Sequence, residues 1–150
     1  MHLADGVLSS IPVAVSLNLC GAVSAALVGS RSRGLGEQVA WTGTLAAFVL
    51  AMQALNLPLL PGASAHAMGA GLLTLALGPA PAMLAMSAVL AVQALLLADG
   101  GISVLGINIL NMAVIPVLMV QACRHLFGAS RAGLMTTAVV GTTLGSSAGA

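Results

Sequence analysis

Of the three histidines in this 150-residue chain, two are placed where they could serve a metal ion. His2 stands beside the free amine of Met1. That amine, the backbone nitrogen of His2 and the imidazole of His2 can close two adjacent chelate rings on one ion, with three nitrogens in a plane. With the imidazole of His66 as fourth donor the set is all nitrogen and tetragonal. Ni(II) and Cu(II) prefer that geometry, and Co(II) stands just below them in intrinsic affinity. Zinc, which favours a tetrahedron, suits it less well. Each histidine also has a plainer reading: His2 as an exposed bystander, His66 as a helix-end residue bonded to a neighbouring carbonyl. A place near a helix start would favour the neutral, ligating form of His66, because the positive end of the helix dipole disfavours a second proton.

Other polar groups could stand behind such ligands. Asp5, in an Asp-Gly pair, is either a turn residue or a carboxylate that orients an imidazole. Ser64 reads as a helix cap close to His66, and Asp99 opens the Asp99-Gly100-Gly101 loop. Asn108 and Asn111 are spaced one turn apart, where amides bond across helices or to a loop holding a metal. Asp5, Ser64, Asp99, Asn108 and Asn111 are therefore the supporting candidates. His125, beside Arg124, reads as an interfacial residue.

Several chemistries are excluded by what is missing. The chain has no lysine, so a G-x-x-x-x-G-K-[ST] phosphate loop cannot be present. H-E-x-x-H is absent too, and the apolar stretches contain no paired acids or histidine relay of the kind a proton-driven pump uses. The expectation is a chain that is not an enzyme and that, for any uptake against a gradient, draws its energy from another component. Nucleic acid is not among the expected partners.

The elements that must position these groups are membrane helices. Hydrophobic residues make up 59% of the chain and charged residues 5%, a balance no water-soluble domain of this size shows. Between Glu37 and Asp99 the only ionisable side chain is that of His66. Aromatics are limited to Trp41, Phe48 and Phe127, so close packing falls to small residues, including 18 glycines. Cys20 and Cys123 read as small apolar residues in apolar stretches. Asp5 is the one formal charge before Arg31, so the N-terminus lacks the positive stretch of a secretory signal and Met1 is read as part of the mature chain.

A span of about 20 residues is needed to cross about 30 Å of hydrocarbon. Charges, glycines and prolines then divide the chain into six spans: about Ser9 to Ser30, Glu37 to Asn56, Ser64 to Leu77, a fourth from the Gly78-Pro79-Ala80-Pro81 break to Ala98, Ile107 to Leu126 with a kink at Pro116, and Gly133 to the end. The third is short and expected to tilt or be shielded by its neighbours. All four arginines fall in loops on one face, which the positive-inside rule makes cytoplasmic. Met1, His2, Asp5, the His66 loop and the Asp99 loop are then outside. The predicted fold is all-α: a single polytopic transmembrane helix bundle over residues 1–150, N-terminus outside. Gly21, Ala25 and Gly29 recur every four residues and allow close helix approach, either inside the bundle or against a partner protein.

Three stretches carry a resemblance. Met1-His2-Leu3-Ala4-Asp5-Gly6-Val7-Leu8-Ser9, Pro61-Gly62-Ala63-Ser64-Ala65-His66, and Ala98-Asp99-Gly100-Gly101-Ile102-Ser103-Val104-Leu105-Gly106-Ile107-Asn108 with Asn111-Met112-Ala113-Val114 resemble, in order, the substrate-binding membrane components of energy-coupling-factor cobalt and nickel transporters, the CbiM/NikM family. The resemblance implies a Co²⁺ or Ni²⁺ ion held by the Met1 amine, both His2 nitrogens and His66, as cargo and not as a catalytic cofactor. It also implies a multi-pass place in the prokaryotic inner membrane. A transmembrane coupling protein, cytoplasmic ATPase subunits and a small accessory membrane subunit would be the partners. Family members continue with a further helix beyond this sequence, and Ala4-Asp5 replaces the Met-Glu of cobalt members, which leans weakly toward nickel. Two other readings remain open: a self-sufficient metal channel, for which Gln93, Asn108 and Asn111 are the available polar groups, and a structural membrane subunit without a ligand.

Overall fold

The computed structural model describes residue 5 and residues 15–16, 18–21, 23–24, 35–55, 57–60, 63–65, 69–128 and 130–136. It is built mostly of helices. The first, α1, is helical at each described position from 15 to 24. After it come α2 (Leu35–Ala54), a ribbon of β1 (Leu57–Leu60) and β2 (Ala63–Ala65), α3 (Ala70–Leu77) and α4 (Pro79–Leu96). A 3₁₀ turn (Ile102–Val104) then leads into α5 (Leu105–Ile109), a π-helical turn (Leu110–Val114), α6 (Ile115–Phe127) and α7 (Arg131–Thr136). Among the described residues, α4 and the run Ile102–Phe127 are long and apolar enough to cross a membrane.

The strongest punctuation in the sequence sets the start of α4. Gly78 sits at φ 84°, a conformation that favours glycine, and breaks α3 from α4. Pro79 follows in the first turn of α4, where an absent N–H costs nothing. At the other end, Leu97 and Asp99 both donate backbone N–H groups to the carbonyl of Gln93, at 3.1 and 3.0 Å. Ala98 between them takes φ 53° and turns the chain out of the helix.

The third span departs from expectation. Residues 63–65 belong to β2, in antiparallel pairing with β1 through Leu57↔Ala65, Pro58↔Ser64 and Leu60↔Ala63. Ser64 is therefore not a helix cap. The cap of α3 is Gly69, which makes no side-chain hydrogen bond, and the helix starts beyond His66, not before it. Its 8 residues rise only about 12 Å, well under half the thickness of a bilayer core. The ribbon also means that the chain is not exclusively helical. A Cβ on Gly69 would overlap the side chain of Val49 on α2, so the backbone lies directly on α2 just before α3 begins.

The fifth span runs as expected, and the irregularity at Pro116 takes the form of a π-helical turn. Ile115 donates its N–H to the carbonyl of Leu110, five residues back. The wider turn accommodates the missing N–H and the ring of Pro116, which would collide with the carbonyl four residues earlier in a regular helix.

α4 lies at the centre of the core. Met83, Met86, Val89 and Leu90 pack with Leu73 of α3, Val49 of α2 and Met112 of the π turn. Two hydroxyls packed in the helices are satisfied locally, Thr74 donating to the carbonyl of Ala70 at 2.6 Å and Ser87 to that of Met83 at 2.7 Å, whereas the buried Thr42 hydroxyl of α2 has no partner. Cys123 is buried, whereas Cys20 is exposed on the bundle exterior; neither is in a disulfide. Gly21 of α1 is buried against Gly106 of α5, where a Cβ on either glycine would overlap the other helix's backbone. That part of the small-residue face is used inside the bundle.

Candidate functional site

Met1, His2 and His66 lie outside the described residues. Asp5 does not, and it shows how the N-terminal segment is held. Its Oδ1 accepts two hydrogen bonds from Ser103, from the backbone N–H at 2.9 Å and from Oγ at 2.5 Å. The Ser103 side chain, then its backbone, holds the Asp5 carboxyl below its ordinary value of 3.8; desolvation opposes this and the Ile102 backbone adds to it. Gly101 makes the contact sterically possible. A Cβ there would lie 2.5 Å from the Asp5 nitrogen and 2.6 Å from its Oδ1.

Ser103 is held in turn from the other side. Asn18 on α1 donates from Nδ2 to the Ser103 carbonyl, and its Oδ1 accepts from the backbone N–H of Gly106 at 2.6 Å. One amide thus serves both a carbonyl in the 3₁₀ turn and an N–H in the first turn of α5. The close passage of Gly21 by Gly106 brings Asn18 within reach. Asp5, Ser103, Asn18 and Gly106 therefore form a continuous hydrogen-bonded chain that ties Asp5 to α1 and to the start of α5.

The remaining supporting candidates are spread around this clamp. Asp99 is exposed just past the end of α4. Asn108 is buried in α5, 2% exposed. Asn111, three positions on, is half-buried in the π turn. Ser64 is placed only by its strand pairing with Pro58. Among the described residues no group of three or more His, Cys, Asp or Glu could hold a metal ion. What those residues supply is a scaffold that fixes Asp5, three positions after His2.

Sequence reasoning missed Asn18, Ser103, Gly106 and Gln53. Ser103 and Gly106 lie inside a quoted motif, and Asn18 is the only amide between Leu3 and Gln38; its isolation in an apolar stretch was the available signal. Gln53, near the end of α2, receives a hydrogen bond of 2.9 Å from Gln93 of α4.

The described residues form a mostly helical chain in which α4 and the run Ile102–Phe127 are long and apolar enough to cross a membrane. Its family follows from comparison with known proteins. Residues 2–150 match the family model CbiM, cobalt uptake substrate-specific transmembrane region, and the chain belongs to this family. The fused nickel transport protein NikMN of Rhodobacter capsulatus is 38% identical over 125 residues, covering 81% of this chain and 35% of that protein. The cobalt transport protein CbiM of Thermosediminibacter oceani is 50% identical over 72 residues, 48% of this chain and 30% of that one. The chain thus spans about a third of the length of these two relatives. The crystal structure of a truncated transition metal transporter superposes with a TM-score of 0.81 at 29% identity, covering 99% of this chain and 70% of the other.

Proposed function

We propose that this chain captures Ni²⁺ or Co²⁺ at the extracytoplasmic face of a prokaryotic inner membrane, as the substrate-binding subunit of an ATP-driven importer of the energy-coupling-factor type. The ion is bound by the Met1 amine, the backbone and imidazole nitrogens of His2, and the imidazole of His66. Six crossings would put all of these on the outer face. A transmembrane coupling protein, cytoplasmic ATPases and a small accessory membrane subunit would complete the transporter, since the chain's own sequence contains no phosphate loop.

The observation that carries this reading is the clamp from Asp5 through Ser103 and Asn18 to Gly106. Two helices and a loop are tied together around Asp5, three positions after His2. A chelate built on the first two residues needs such anchoring, because an unanchored terminus would lose its conformational entropy on each binding event. The family's link to cobalt uptake and the nickel and cobalt relatives support the choice of cargo.

The test is the first residue. An extension ahead of Met1 turns its amine into an amide, a much poorer donor. Ni²⁺ titrations on detergent-purified protein should show tight binding for the chain that starts at Met1, loss of binding for a tagged form, and recovery once a protease restores Met1. Equal affinity in folded tagged and untagged forms would refute the coordination.

A further inference from the structure

Gln53 and Gln93 are 3% and 1% exposed, each near the C-terminal end of its helix, α2 and α4. Gln93 Nε2 donates to Gln53 Oε1 at 2.9 Å, which leaves Gln53 Nε2 and Gln93 Oε1 buried without a partner. Exchanging the oxygen and nitrogen assignments of both amides leaves the same count, one free donor group and one free acceptor. A half-satisfied amide pair in an apolar interior is less stable than two packed leucines. Stability therefore does not account for it.

Its location suggests what does. Val49, one turn before Gln53 on the same face of α2, packs directly on Gly69, where the chain returns from the segment containing His66. On the other side, the backbone carbonyl of Gln93 receives the N–H groups of Leu97 and Asp99, and so sets the start of the loop that runs to Gly101 and Ser103, where Asp5 is held. The amide pair joins the two helix ends whose outgoing loops lead to the two halves of the proposed metal site.

We propose that Gln53 and Gln93 are a positioning pair that sets the separation between the His66 segment and the N-terminal segment, and through it the geometry at the metal; this rests on the metal-capture reading above. A carboxamide hydrogen bond fixes distance and direction, whereas apolar contact allows sliding. A site with four defined donor directions tolerates errors of only about 0.5 Å.

The experiment compares the native chain, starting at Met1, with Gln53→Leu, Gln93→Leu and the double variant, reading melting temperature, Ni²⁺ affinity and the Ni²⁺ d–d absorption band. Each single variant leaves a buried amide unpartnered and should melt lower and bind more weakly. The double variant removes both amides and should recover the native melting temperature or exceed it. Its Ni²⁺ affinity should nevertheless stay about tenfold or more below native, with a shifted absorption band. A double variant that regains stability, native affinity and the native band together would overturn the proposal, because the pair would then be structural only. If the Leu/Leu form does not fold, the Met/Met double, similar in volume and unbranched, gives the same comparison. Absence of Ni²⁺ binding by the native chain would instead refute the metal-capture reading, and the positioning role with it.

Discussion

Replacing Gly106 with alanine drives a methyl group into α1. The added Cβ would overlap the Cα and carbonyl of Asn18, which are backbone atoms that no rotamer change can move aside, so α1 and α5 must separate. Overpacking of this kind costs about 1–3 kcal/mol. Separation also weakens the two hydrogen bonds of Asn18, each contributing about 0.5–1.5 kcal/mol. The combined loss is about 2–6 kcal/mol. At about 2–4 °C per kcal/mol, the melting temperature should drop by about 4–24 °C. Gly43 in α2 is the control, since a Cβ there meets nothing within 4 Å. Gly43→Ala should be neutral or raise stability by about 0.5–1 kcal/mol through helix propensity. Thermal melts of both variants by circular dichroism in one detergent provide the comparison. A Gly106→Ala protein melting within about 2 °C of native, or a Gly43→Ala protein falling as far as Gly106→Ala, would refute the close-approach argument.

Asp5→Ala should weaken Ni²⁺ binding about 10- to 100-fold with little change in far-ultraviolet dichroism, as measured by calorimetric titration. The lowered carboxyl of Asp5 gives the clamp a defined pH range: its contribution is fully present above the ordinary value of 3.8 and is lost as pH falls through the lower folded-state value. The difference in melting temperature between native and Asp5→Asn proteins should therefore be constant from pH 7 to about pH 5 and shrink only below about pH 4. Metal binding should fade earlier, between neutrality and about pH 5, because imidazoles and amines must lose protons to ligate; affinity unchanged at pH 5 would count against nitrogen ligands. Ala98→Gly should raise the melting temperature by a few degrees, since alanine at φ 53° costs about 1 kcal/mol that glycine does not.

Much of the helical layout was legible because its signals are local. Gly78 and Pro79 mark the start of α4 wherever the rest of the chain goes, and Asp99-Gly100-Gly101 marks its end. The shortness of α3 was hidden because Ser64 to Leu77 is evenly apolar and small, a composition that suits a helix or a shielded ribbon alike. The pairing of Leu57 and Pro58 with Ala65 and Ser64 and the seating of Gly69 on Val49 of α2 are contacts that local composition does not encode. The clamp was half legible. Asp5 stood out as a charge in an apolar chain, but its partner Ser103 is 98 positions away, and Asn18 meets Gly106 across 88. Gln53 carries no local signal of its own, because its partner Gln93 lies 40 positions on. Local pattern locates elements; it contains no information on which polar residue in one helix faces which in another.

The π turn between α5 and α6 has a consequence for how the long helix divides its two faces. A regular α-helix advances about 100° per residue, so every position is in phase with those before it. The turn at Leu110–Val114 adds chain without the matching advance, and the segments on either side fall out of step. Val104, Ile107 and Asn108 on one side, and Val117, Val120 and Cys123 on the other, are each buried, although at a regular advance of about 100° per residue they would not share a single stripe. The helix works as two rods spliced at an offset, one turned to hold the clamp and the other to close the core. A residue deleted within the splice should be taken up by tightening the turn to α geometry, leaving both α6 and the end that carries Ser103 seated.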